Sequence, residues 1–136
     1  MKISAVIITF NEAKNINRCL LSLQGIADEI LVVDSNSTDD TVNICKEMGA
    51  KAVLHTFEGY GPQKQFAVDL AQYGMILSLD ADEELSQELK IIIENVKTSG
   101  TEYAAYDFNR LNFYCGRPIR FCGWYPDCKI RMFNRK

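Results

Sequence analysis

The 136-residue sequence contains a single histidine, His55, and although it has five cysteines (Cys19, Cys45, Cys115, Cys122 and Cys128), no two of them form a C-x-x-C pair. Zinc ribbons and dithiol redox centres use that spacing, so reduced, mostly buried thiols are expected. A metal site built from Cys115, Cys122 and Cys128 would lack an imidazole, because His55 lies in a separate apolar stretch that reads as strand. Long hydrophobic runs are also missing. The apolar run Ala5 to Ile8 is far too short for a signal peptide core or a membrane span, and Asn11 and Glu12 end it, so a cytoplasmic chain is expected. There is no internal repeat, low-complexity tract or linker. Neither a G-x-x-x-x-G-K-[ST] loop nor a G-x-G-x-x-G after the first strand is present, which sets aside a P-loop and a dinucleotide fingerprint. Nothing in the pattern calls for a nucleic-acid partner.

What is present is the composition of one soluble globular domain, 47% hydrophobic and 24% charged. The net charge of −3 hides an asymmetry. From Arg110 onward the basic residues are Arg110, Arg117, Arg120, Lys129, Arg131, Arg135 and Lys136, against the single acid Asp127. Such an end could meet anionic lipid headgroups at the inner face of the cytoplasmic membrane or a phosphorylated acceptor, and it reads equally as a solvated face.

The first half alternates strand and helix. Ile3 to Thr9 is a β-branched strand, after which Ile16, Cys19, Leu20 and Leu23 form one helical face stopped by Gly25. Glu29 to Asp34 is a second buried strand. The run Ser35-Asn36-Ser37-Thr38-Asp39-Asp40-Thr41 then suits a helix N-terminus, and that helix ends at Gly49. Ala52 to Thr56 is expected as a third strand, with Gly61-Pro62 opening the next helix. Met75 to Leu79 is a fourth strand. Ser86 caps a helix with the face Leu89, Ile92, Ile93 and Val96, closed by Gly100. From Tyr103 the pattern turns to shorter, aromatic-rich strands and loops on one edge of the sheet. The expected fold is α/β, doubly wound, with a mainly parallel sheet and helices on both faces.

In open α/β sheets ligands sit outside the carboxyl ends of the strands. Polar residues gather there three times: Thr9-Phe10-Asn11-Glu12, Asp34-Ser35-Asn36 and Asp80-Ala81-Asp82. Singly, each reads better as a turn or a cap. All three on one edge bring carboxylates together, and these repel unless a cation or hydrogen-bond donors offset them. The Asp-x-Asp pattern is weak alone, since nine aspartates in this length yield by chance roughly one match per two sequences. Its placement at the end of Ile76-Leu77-Ser78-Leu79 supplies the weight. Carboxylate oxygens are hard ligands suited to Mg²⁺ or Mn²⁺, which share the oxygens of a diphosphate.

The segments Ile7-Ile8-Thr9-Phe10-Asn11-Glu12, Ile30 to Thr41 and Ile76 to Glu84, in that order and spacing, resemble family 2 glycosyltransferases. Asn112-Phe113-Tyr114, Gly116-Arg117 and Gly123-Trp124-Tyr125-Pro126-Asp127 before Arg131-Met132-Phe133 are similar to the subgroup acting on lipopolysaccharide core. The resemblance implies a GT-A (Rossmann-like) fold, a nucleotide-diphospho-sugar donor, a saccharide or lipid-linked acceptor and a divalent metal, Mn²⁺ or Mg²⁺. By position it implies that Thr9, Phe10, Asn11 and Glu12 line the nucleoside pocket and that Asp34, with Ser35 beside it, meets the base, where a carboxylate can take the N–H of uracil. It places Gln63 and Lys64 in the donor site, with Gln65 standing where the family often has Asn. Asp80 lies near the ribose, and Asp82, with Asp80, meets the metal.

The family's general base lies nearer the C-terminus and is expected beyond Lys136, with Asp127 the candidate inside the chain. Residues 1–100 are thus expected to be the nucleotide-sugar-binding part. Residues 101–136 are expected to begin an acceptor-side part that is incomplete. The implied reaction is a single inverting displacement in which the base deprotonates the acceptor hydroxyl. Three rivals stay open: a metal-dependent nucleotidyltransferase using a triphosphate, a non-catalytic nucleotide-binding fragment, and a phosphoacceptor domain, whose acid pair should follow strand one rather than strand four.

Overall fold

The computed structural model describes residues 1–100, 105–110, 112–114, 117–119 and 127–135. The elements in chain order are β1 (Ile3–Thr9), α1 (Ile16–Leu23), β2 (Glu29–Asp34), α2 (Thr41–Glu47), β3 (Lys51–Leu54), α3 (Tyr60–Leu70), β4 (Met75–Asp80), α4 (Gln87–Ser99), β5 (Ala105–Arg110), β6 (Asn112–Tyr114), β7 (Arg117–Ile119) and β8 (Asp127–Asn134). Six strands form one sheet in the order β3-β2-β1-β4-β8-β5, while β6 and β7 make a separate antiparallel pair. The first four are mutually parallel, and β8 runs antiparallel between β4 and β5.

Both faces of this sheet are covered, which is why its central strands read as continuous apolar runs rather than alternating ones. Ile3, Ala5 and Ile7 of β1 join Met75, Leu77 and Leu79 of β4 in a cluster with Ile16, Cys19, Leu20 and Leu23 of α1, Cys45 of α2 and Ile93 of α4. Val6, Leu31, Val33 and Ile76 point the other way, onto Ala67 of α3 and Ala71 just after it. The doubly wound arrangement expected from the strand and helix alternation is the one observed. Burial pushes the Cys19 thiol up to about 12 and the Cys45 thiol up to about 11, so both stay protonated core groups. Cys115 and Cys122 lie outside the described residues.

Three local expectations need correction. The third strand spans Lys51–Leu54 rather than 52–56, because His55 leaves the ladder once its N–H has reached the Asp34 carbonyl at 2.9 Å. Helix α3 opens at Tyr60, ahead of Pro62, which still falls within the first turn where an N–H has no intrahelical partner. On α4, Ile93 is buried with Leu89 and Val96 packed beside it, whereas Ile92 is 56% exposed. Leu89, Ile93 and Val96 already form a stripe at i, i+4 and i+7, and Ile92 lies on its flank.

The last turn of α4 is tied to the amino ends of β1 and β2 through Asp28. Its Oδ2 accepts from the Ile3 N–H at 2.8 Å and from Lys97 Nζ at 2.9 Å. Burial acts to raise the Asp28 carboxyl, but the Lys97 and Ile3 hydrogen bonds outweigh it and hold the group below its ordinary value of 3.8. A carboxyl depressed on folding contributes stability that is fully present above the unfolded value and is lost as pH falls through the folded one. Asp28→Asn is therefore expected to lower unfolding free energy by about 1 kcal/mol at pH 7, a modest figure because the pair is partly solvated. Denaturant titrations should show the gap between variant and parent closing on the acid side of 3.8.

Candidate active site

The strand register gathers the three polar clusters. Thr9 stands opposite Asp34, Ile8 opposite Asp80, and Asp34 opposite Leu54, so the carboxyl ends of β1, β2, β3 and β4 form one edge. Loops leaving β1 and β2 are stapled together there. The Asn11 N–H donates to Ser37 Oγ at 2.8 Å, the Glu12 N–H to Thr41 Oγ1 at 3.0 Å and the Ala13 N–H to Asp39 Oδ2 at 3.2 Å. In return Asn11 Oδ1 accepts from the Thr38 N–H at 2.8 Å. Asn11 and Asn36 adopt φ of 50° and 64°, a left-handed conformation that asparagine tolerates better than most residues.

The Ser, Thr and Asp residues of 35–41 thus serve this staple more than the helix cap expected of them, and Asp40 at the N-cap of α2 makes no side-chain cap bond. The hydrogen bond from the Thr41 hydroxyl, followed by backbone N–H groups of Thr41 and Ala13, holds the exposed Asp39 carboxyl below its ordinary range. Asn11 and Glu12, expected to line a nucleoside pocket, make backbone and local side-chain bonds at this edge. The Glu12 carboxylate accepts from Asn15 Nδ2 at 2.9 Å.

Asp34 is fully buried, and its carboxylate accepts from the N–H and hydroxyl of Ser37. That geometry closes a turn, so the carboxylate expected to meet a base is already engaged by Ser37. Ser35 beside it is only half-buried. Its Oγ accepts from Gln63 Nε2 at 3.1 Å, which leaves the hydroxyl proton to be donated elsewhere.

Gln63, 0% exposed, is the hub of this side. Its Nε2 also donates to the His55 carbonyl at 3.3 Å, and its Oε1 lies 2.8 Å from His55 Nδ1. A carbonyl can only accept, so the amide orientation is set, and His55 Nδ1 must carry the proton. The His55 ring stacks on Phe66 with centroids 3.7 Å apart. Phe10, at the end of β1, is 54% exposed, an unused aromatic face at the same edge. Thr9 Oγ1 is buried and has no hydrogen-bond partner among the described residues, the kind of orphaned group that a ligand or water is needed to satisfy.

The other side of the edge is acidic. Asp80 Oδ1 lies 3.6 Å from Lys64 Nζ and its Oδ2 3.5 Å from Arg131 Nη2, so both of its oxygens face cations. Arg131 also pairs with Glu83 Oε2 at 3.1 Å, and Glu83 Oε1 accepts from the Asp80 N–H at 2.8 Å. Glu84 pairs with Arg18 at 3.6 Å. Asp82 is exposed, and among the described residues its carboxylate alone of these four has no cationic partner. Lys64 and Arg131 thus flank both oxygens of Asp80, the residue expected beside Asp82 at the metal. Among the described residues no three His, Cys, Asp or Glu side chains are grouped to hold a metal by themselves.

Arg131 was legible as one of seven basic residues in a polarised end and as the start of the Arg131-Met132-Phe133 segment, and its side chain is 8% exposed. It is not part of a surface patch, and neither is the guanidinium of Arg135 wholly free, since it donates to the Val68 carbonyl at 2.7 Å. The antiparallel pairing of Leu77 with Met132 puts Arg131 next along β8, toward the carboxyl end of β4. No local signal marks that crossing. The Asp127 side chain lies outside the described residues, as do Phe121 and Trp124. No helix among the described residues is long and apolar enough to cross a membrane.

An edge of this kind is where open parallel α/β sheets hold their ligands, and likeness to known proteins narrows the class. The Glycosyl transferase family 2 description matches residues 4–128. The chain belongs to glycosyl transferase family 2. It is 49% identical to an uncharacterised glycosyltransferase of Rickettsia felis over 99% of this chain and 48% of that protein. It is 29% identical to the lipopolysaccharide core biosynthesis glycosyltransferase LpsC of Rhizobium meliloti over 85% of this chain and 44% of that one. The chain thus spans about half the length of the curated relatives it matches. Among solved structures, glucosyl-3-phosphoglycerate synthase of Mycobacterium tuberculosis with Mn²⁺, uridine diphosphate and phosphoglyceric acid is similar at a TM-score of 0.54 and 26% identity, over 61% of this chain and 34% of that one. The fold is GT-A.

Proposed function

We propose that this edge binds the nucleoside diphosphate of a nucleotide sugar together with Mn²⁺ or Mg²⁺, and that the whole protein transfers the sugar to a saccharide or lipid-linked acceptor. The observation that carries the reading is the meeting of the three strand-end clusters around the orphaned Thr9 hydroxyl. Residues 1–100 form the donor part in this reading, and 101–136 begin the acceptor side. Phe10 offers a face for the base, Thr9 and Ser35 offer hydroxyls to its edge, and Lys64, half-buried in its pair with Asp80, is a cation for the phosphates.

Asp82 fits a divalent cation as a single hard oxygen ligand, since Mg²⁺ is commonly held by one or two carboxylates with substrate phosphates and water completing the shell. Such a cation supplies neutralisation of the charge that develops on the departing diphosphate. A carboxylate base on the acceptor side would then take the acceptor proton as the hydroxyl attacks from the opposite face, inverting the anomeric centre. The likeness to LpsC supports bacterial surface polysaccharide or lipopolysaccharide core as the product class.

Calorimetry tests the donor reading. Uridine diphosphate is expected to bind residues 1–136 at least tenfold more tightly with Mn²⁺ than without it, and a nucleoside triphosphate no more tightly than the diphosphate. A clear preference for the triphosphate would move the reading to a nucleotidyltransferase.

A further inference from the structure

The hydroxyl of Ser35 stands at the ligand edge with its proton free to be donated. The Ser35 N–H donates to the Thr9 carbonyl at 3.0 Å, which fixes this half-buried residue at the carboxyl ends of β1 and β2. Its Oγ accepts from Gln63 Nε2 at 3.1 Å and makes no other hydrogen bond among the described residues. The direction of that bond is fixed from behind. Gln63 is wholly buried, its Nε2 lies 3.3 Å from the His55 carbonyl, which can only accept, and its Oε1 lies 2.8 Å from His55 Nδ1. Turning the amide over would set two carbonyl oxygens against each other, so its NH2 group faces Ser35 and cannot take a proton from it. A hydroxyl at a binding surface ordinarily rotates to donate or to accept. Here a buried neighbour has already made that choice.

We infer that Gln63 is a positioning residue that presets Ser35 as a hydrogen-bond donor to the base of the nucleotide, so that the site takes bases with a carbonyl at that edge and rejects those with an amine there. A carbonyl oxygen accepts the Ser35 proton. An exocyclic amine brings a second donor against it, and both are left unsatisfied where the ligand itself keeps water out. Uracil and cytosine differ in this way, a carbonyl standing in place of an amine on rings of equal size, and so do hypoxanthine and adenine. The adjoining Asp34 carboxylate is engaged by the N–H and hydroxyl of Ser37, whereas the Ser35 proton has no such partner among the described residues. The donor is thereby narrowed to nucleotide sugars of oxo bases, a refinement that rests on the donor-site reading.

The test is calorimetry on residues 1–136 with Mn²⁺, comparing uridine with cytidine diphosphate and inosine with adenosine diphosphate, with circular dichroism to confirm the fold of each variant. Wild-type protein is expected to bind the oxo member of a pair about tenfold more tightly than the amino member. Ser35→Ala, which leaves Gln63 bonded to His55, should remove most of that ratio. Gln63→Glu replaces the donating amide with a carboxylate that takes the Ser35 proton and leaves the lone pairs of Oγ for the ligand, so the ratio should move toward the amino bases. Gln63→Met is of similar length and frees the hydroxyl to rotate, and its ratio should fall between those of wild type and Gln63→Glu. A Gln63 that served only the fold would weaken both members of a pair by one factor and leave their ratio unchanged, which would overturn the inference. Should neither Gln63 variant fold, Ser35→Ala decides: a full oxo preference in that protein would assign the selection to another group, such as Asp34, and overturn it equally. So would equal binding of both members by wild-type protein. Failure of wild-type protein to bind any of the four nucleotides defeats the donor-site reading and this selection with it, a result distinct from binding without preference.

Discussion

Asp82→Ala is expected to remove the Mn²⁺-dependent part of nucleoside diphosphate binding, a loss of at least about tenfold to a hundredfold, since even partners that only orient metal ligands cost that much when removed. The same variant should unfold within about 0.5 kcal/mol of the parent, because its side chain is exposed and touches no partner among the described residues. Few substitutions separate binding from stability so cleanly. Asp80→Ala offers the contrast: it would strip one of two carboxylates from the nearly buried Arg131 and so lower stability as well as binding. Titration of uridine diphosphate with and without Mn²⁺, beside a thermal melt, reads both quantities. Full Mn²⁺ dependence in a folded Asp82→Ala protein would remove Asp82 from the metal site.

The two halves of the edge differ in how far they could be read in advance. Helix and strand periodicity, the apolar β4 run and the turn-rich strand ends were all local, and the parallel sheet and its ligand edge follow from them. What a side chain does at that edge was less accessible. Asp34 sits in the expected place, yet burial and the Ser37 donors take its carboxylate into a turn. Asn11 is in the right loop, yet its amide is used to hold residues 38 and 39. Each was competing for the same few polar atoms, and only three-dimensional pairing shows which competitor wins. Arg131 was hidden for a different reason: it lies 48 residues from Glu83 and reaches it only because β8 reverses direction beside β4. His55 was read as strand. Its importance arises from leaving the strand, where its ring can stack on Phe66 and its Nδ1 can meet Gln63.

That last contact leads to the substitution with the largest expected cost to stability. Gln63 has no exposed surface, and its amide makes three bonds, to Ser35 Oγ, to the His55 carbonyl and to His55 Nδ1. Gln63→Ala would leave these groups without partners in a packed environment, at about 1 to 3 kcal/mol for each one that water cannot reach. Part of the set can find water at the edge, so a net loss of about 3 kcal/mol is expected. For a domain of this size that is a fall in melting temperature of roughly 10 °C. Binding should suffer with it, because Ser35 would lose the donor that orients its hydroxyl and His55 the acceptor that fixes its tautomer. A double-mutant cycle separates the relay from simple loss of volume. His55→Phe retains a ring to stack on Phe66 and removes the Nδ1 partner, so part of the cost of Gln63→Ala is already incurred in the His55→Phe background. The two changes should therefore fall short of additivity by about 1 kcal/mol or more, the range seen for residues sharing a hydrogen-bond network. Strict additivity of the two in thermal or denaturant unfolding would show that Gln63 and His55 act independently.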